Sequence, residues 1–107
     1  MSSSGNRIDF LRALVAKKPD DARARFGLAV EYERVGDWDQ AITHLNEYLR
    51  LADDEGNGFA RLARALRKLG KDAEARAAFQ RGIESANSHG HPSLAAELDE
   101  EMEAEEL

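Results

Sequence analysis

The stretch Ala22 to Asp53, ARARFGLAVEYERVGDWDQAITHLNEYLRLAD, reads as a helix, a tight turn and a second helix. Displaced by 34 residues it meets itself: Gly36 falls on Gly70, Ala41 on Ala75, Ala29 on Ala63, Leu28 on Leu62 and Leu45 on Phe79. A period of this length built from paired helices specifies stacked units that each bury one face against a neighbour.

Within the first unit, a helix starts near Asp20 or Asp21 and ends at Gly36, a residue free to take the left-handed conformation that terminates helices. At 100° per residue, Leu28, Ala29, Tyr32 and Val35 share one face, while Arg23, Phe26, Val30 and Arg34 point the other way. Asp37 then caps the next helix, with Gln40 three residues on, and Ala41, Ile42, Leu45, Tyr48 and Leu49 form its apolar face. Ala29 and Ala41 are small enough for the two helices to approach closely. The second unit repeats the pattern with Phe59, Leu62, Ala63, Leu66 and Leu69, then Gly70, then Ala75, Phe79 and Ile83. Its turn lacks the acidic cap, because Lys71 stands where Asp37 stood.

The flanks extend the same register. Ile8, Leu11, Leu14 and Val15 recur at helical spacing after a candidate cap at Asn6, and Leu11 aligns with Leu45 and Phe79. This segment reads as the second helix of a unit without its first. After Ala86 the loop NSHGHP breaks the pattern, and Pro92 opens a last helix whose stripe is Leu94, Ala95, Leu98 and Met102. That helix is out of repeat register and reads as a solvating cap. The expected organisation is a disordered 1–6, one domain over 7–102 and an acidic tail at 103–107. Within the domain stand a capping half repeat at 7–18, repeats at 20–53 and 54–87, and a capping helix at 92–102. The expected count is five helices.

Composition narrows the function. The 107 residues hold no cysteine, which excludes a disulfide framework, a thiolate metal site and a cysteine nucleophile. The net charge of −6 is a property of the end of the chain, where seven acids and no bases occupy the last eleven residues. The first 96 residues carry 15 bases against 14 acids, so nucleic-acid binding is not indicated. No basic leader precedes an apolar run, and no stretch approaches about 18 apolar residues, so a cytoplasmic protein without membrane contact is expected.

The pattern of Leu28, Ala29, Tyr32, Gly36, Ala41 and Leu45, with its second set Phe59, Leu62, Ala63, Leu66, Gly70, Ala75 and Phe79, resembles the tetratricopeptide repeat family. The resemblance covers nearly the whole chain. Departures are the closing proline, present only as Pro19 and replaced by Asp53 and Asn87, and Tyr48, where the family usually has a small residue. The resemblance implies an all-α, right-handed α-α superhelix whose first helices line a concave groove, with protein or peptide segments as ligands and no enzymatic activity. Some members clamp a chaperone's terminal carboxylate with Lys and Asn; the matching surface here offers Phe26 and Val30 instead.

The groove candidates are the faces opposite the core stripes: Arg23, Phe26, Val30 and Arg34 on the first unit, and Asn57, Ala60, Arg61, Arg64, Arg67 and Lys68 on the second. An exposed apolar pair beside four bases suits a short, acidic and partly apolar segment, because the arginine fork holds carboxylates with two bonds. The acidic tail is either a solvating cap or a competitor for that basic face. His89 and His91 lack a third ligand at fixed spacing, so no metal or other cofactor is expected, and His44 reads as a surface residue. Ser85, Ser88 and Ser93 lie near those histidines without a nucleophile elbow. The leading expectation is an adaptor or assembly scaffold. Two alternatives stand beside it: a homodimer formed through Tyr48, Leu94, Leu98 and Met102, and a chaperone for a specific client.

Overall fold

Several helix ends have a local cause. Asp21 and Asp37 accept hydrogen bonds from the amides of Ala24 (3.1 Å) and Gln40 (3.2 Å), satisfying donors that the first helical turn leaves unpaired. At the other end, Gly36 has φ +76, its amide donates to the Glu33 carbonyl, and the next amide, of Asp37, reaches back to Tyr32 at 2.9 Å. This is the Schellman closure, and it recurs at Gly70 and Gly90 with the same pair of bonds.

The computed structural model describes residues 3–104. Their helices are α1 (Ser3–Lys17), α2 (Ala22–Arg34), α3 (Trp38–Leu51), α4 (Asn57–Lys68), α5 (Asp72–Ser88) and α6 (Pro92–Glu103), and no strand occurs among them. The count is six rather than five, because a half unit, two pairs and a cap sum to six. Helix α1 begins at Ser3, so Ser3–Asn6 are helical where disorder is expected, and Asn6 lies inside the helix instead of capping it. Nothing in Ser3, Ser4 and Gly5 forbids helical backbone, and a helix nucleated by the apolar turns downstream extends through them. Met1, Ser2 and residues 105–107 lie outside the described residues, and with them the rest of the expected disordered start and acidic tail.

The chain divides between Ala52 and Asp53 into two units. In the first, α2 packs on both α1 and α3. Leu28, Ala29, Ala41 and Leu45 are fully buried, as the helical face predicts. Val35, placed on that face by periodicity, is exposed, because it sits at the C-cap where the helix has already ended. In the second unit, α5 packs on α4 and α6, around Leu62, Ala63, Ala75, Phe79, Ala86 and Leu98. A β-carbon on Gly82 would come within 3.0 Å of Phe59 Cβ, 3.2 Å of the Gly56 carbonyl oxygen and 3.3 Å of Leu98. Bare backbone at Gly82 therefore lets α4 and α6 approach α5 from two sides. Helix α5 also runs two residues past Ala86, so the loop is only His89–His91, closed by Gly90.

Candidate functional site

The face of α4 carries a concentration of charge contacts with α6. Arg64 holds the Glu101 carboxylate with two parallel bonds, Nε–H to Oε2 at 2.6 Å and Nη2–H to Oε1 at 2.8 Å. Such forked pairs are short and geometrically specific. The Arg64 bond, more than any other influence, holds the Glu101 carboxyl below the usual carboxylate range. Arg67 lies over the Phe79 ring at 4.7 Å. From there it donates to three carbonyls at the end of α6: Glu101 at 3.1 Å, Met102 at 2.8 Å and Ala104 at 3.3 Å. These carbonyls belong to the turn that an α-helix leaves unpaired at its C-terminus. Arg76 of α5 adds a bond to Glu103 at 2.7 Å. The acidic helix thus occupies the basic face of its own unit.

The remaining α4 positions do not form one surface. Asn57 and Lys68 are exposed and Arg61 is half-buried, but Ala60 is 0% exposed and lines no groove. A helical wheel assumes one covered side, whereas α4 is covered by more than its pair partner. On α2, Arg23 and Arg34 are exposed, with Arg34 Nε 3.7 Å from the buried Glu31. Phe26 and Val30 are half-buried rather than an exposed pair, and the Phe26 ring meets Tyr48 edge-on at 4.9 Å. Of the expected dimer surface, Tyr48 and Leu94 are half-buried. Leu98 and Met102 are 2% and 8% exposed and present nothing to a second copy.

His44 is not an isolated surface residue. It stacks on Tyr32 with centroids 5.6 Å apart and pairs with Arg25 at 3.2 Å. Burial, then the charges of Arg25 and Arg12, push its pKa down. Sequence reading missed this pair, although both residues stand on the facing sides of one helix hairpin.

The loop histidines tie down the start of α4. His89 Nδ1–H donates to the Ser85 carbonyl at 2.7 Å and Nε2–H to Asp53 at 2.9 Å, while His91 meets Glu55 at 2.6 Å. Only an imidazolium donates from both nitrogens, and the Asp53 bond, followed by the Ser85 carbonyl, raises the His89 pKa. A group raised in the folded state stabilises fully below its unfolded pKa of 6.5 and loses that contribution as pH rises through the folded value. His89→Gln is therefore expected to lower the urea midpoint at pH 5.5 and to change it little at pH 9. An equal loss at both values would show that the ring acts by packing alone.

Beside these loops an open cleft of about 720 Å³ is lined by Glu55, Asn57, His91, Leu94 and Glu97 among others. Among the described residues, no three metal-ligating side chains converge there or elsewhere. Ser85 is turned to structure: its hydroxyl donates to the Asp54 carbonyl. Asp54, which sequence reading did not single out, is buried and accepts from the amides of Gly56 and Gly58 at 2.9 Å each. An aspartate just ahead of a glycine-flanked helix start is the signal that could have found it.

Helix pairs closed by the same glycine turn, repeating at a fixed period and presenting a charged first-helix face, define a helical-repeat protein. The sequence model for the tetratricopeptide repeat matches residues 2–86, and this chain belongs to that family. It is 32% identical over 91 residues to the TPR repeat-containing protein PA0015 of Pseudomonas aeruginosa, covering 85% of this chain and 87% of that protein. Among solved structures it is similar to the crystal structure of MamA, with a TM-score of 0.71 over 95% of this chain and 73% of that one. At 18% identity that likeness concerns the fold. No helix among the described residues is long and apolar enough to cross a membrane.

Proposed function

We propose that this chain is a non-enzymatic adaptor or assembly scaffold, resident in the cytoplasm, that takes up an acidic peptide or protein segment on the first-helix faces of its repeats. The right-handed superhelix with a concave groove belongs to the same proposal. Repeats of this family generally mediate protein–protein interactions, which supports the class of function. One observation supports the ligand chemistry: the forked grip of Arg64 on Glu101, a carboxylate of the acidic helix of the same chain. A partner would then replace α6 on that face, and the α6 carboxylates would set the affinity it must exceed.

The test uses the full chain and a fluorescent peptide of the sequence of residues 92–107 as the acidic probe. Glu101→Ala is expected to raise its affinity several-fold by weakening the competitor, and Arg64→Glu with Arg67→Glu to lower it at least tenfold, about 1.4 kcal/mol. Unchanged binding in the double variant of verified helicity would overturn the assignment, as would absence of binding in the Glu101→Ala chain.

A further inference from the structure

Helix α1 leaves two large apolar side chains in water. Phe10 is 65% exposed and Leu14 37%, one turn apart. Scattered apolar residues on a surface need no explanation, but these two stand at repeat positions whose equivalents are half-buried or buried. Displaced by 34 residues they fall on His44 and Tyr48, and His44 stacks on Tyr32 while Tyr48 meets Phe26, both of α2. Displaced by 34 once more they fall on Ala78 and Gly82. Ala78 is buried, and Gly82 lies against Phe59 of α4. In the first pair, therefore, this face of the second helix meets the first helix, and in the second pair Gly82 lies between Phe59 of α4 and Leu98 of α6. On α1 the same face leaves Phe10 and Leu14 exposed.

The charges around that face select the occupant. Arg7, Phe10, Leu14 and Lys17 lie within about 80° of arc at 100° per residue, a stripe about 15 Å long with a base at each end. All four are exposed, Arg7 even while it bridges to Glu31 at 3.4 Å. A second copy does not suit this stripe. Antiparallel self-pairing sets Arg7 against Lys17 at both ends, and parallel self-pairing sets each base against itself. The acidic α6 of another copy does not suit it either, because its apolar stripe is already buried. We infer that the Phe10–Leu14 face of α1 is a second docking surface, distinct from the α4 face, which takes an amphipathic helix of another protein bearing an apolar pair flanked by carboxylates.

The experiment uses the full chain and two synthetic helical peptides of about 18 residues. Each presents Leu at i and i+4; one carries Glu a turn before and after the pair, and the other carries Lys at those places. Fluorescence anisotropy is expected to show the Glu peptide binding at least tenfold tighter than the Lys peptide. Phe10→Ser with Leu14→Ser is expected to remove that binding, and Arg7→Glu with Lys17→Glu to invert the preference. Arg64→Glu with Arg67→Glu removes the α4 face as a second site for the acidic peptide, and the binding that remains in that background is expected to be lost on Phe10→Ser with Leu14→Ser, which separates this surface from the α4 face. Equal binding of both peptides, or of native and Phe10/Leu14-substituted chains, would overturn the inference. So would a sedimenting dimer of the native chain that dissociates on Phe10 and Leu14 substitution, since the second copy would then be the occupant.

Discussion

Phe79→Ala is expected to destabilise residues 53–107 by about 3–5 kcal/mol, the range for emptying a closed aromatic site. The ring is fully buried on α5 at the position Leu45 fills in the first unit, with the Arg67 guanidinium over it at 4.7 Å. Truncation removes the dispersion contacts of the ring, leaves a cavity, and strips Arg67 of the surface that aims it at α6. Domains of this size are stable by only about 5–15 kcal/mol, so most of the margin is lost. Urea denaturation followed by circular dichroism measures the shift, and hydrogen exchange locates it. A loss under about 1 kcal/mol would mean that the helices do not close around the ring.

The second large effect is expected at Asp54. Its carboxylate accepts from the amides of Gly56 and Gly58 at 2.9 Å and of Phe59 at 3.4 Å, and its own carbonyl receives the Ser85 hydroxyl. Gly56, the residue at the N-cap, has no side chain with which to cap α4, so Asp54 supplies the acceptor from two residues upstream. Asp54→Ala leaves amides at a buried helix start without their acceptor, at a cost of about 2–4 kcal/mol. Asp54→Asn keeps an acceptor and loses the charge at the positive helix end, so it should recover part of that stability. Urea midpoints of the two variants, with exchange of the Gly58 and Phe59 amides, distinguish the contributions. Equal and small losses would assign Asp54 no capping role.

The repeat was legible because it is written in residues with few alternatives. Gly36 and Gly70 are required by positive φ, and Ala29, Ala41, Ala63 and Ala75 by close helix approach. Position along one helix therefore sufficed for the paired helices and their turns. Features that depend on a third helix were not legible in the same way. Ala60 looks like a groove residue on a wheel of α4 alone, and is buried once α5 and α6 both pack in its unit. Arg64 meets a carboxylate and Arg67 meets main-chain carbonyls, but periodicity does not say that their partner is the end of α6, since α6 leaves the repeat register. The Tyr32–His44 stack escaped notice for a related reason: the sequence separates two rings that a tight turn brings face to face. Phe26 was placed in the groove, and its neighbour Tyr48 takes it instead.

The two arginines that hold α6 use different kinds of information. Arg64 requires a particular side chain at position 101, whereas Arg67 touches only main-chain oxygens at 101, 102 and 104. Those oxygens converge on one guanidinium because the chain there is ending a helix, whatever side chains it bears. Through these bonds Arg67 reads conformation, while its charge also favours the ionised Glu101 carboxylate. Substitutions that leave the last turn helical preserve these main-chain bonds, while any change that unwinds that turn releases them without altering one charge.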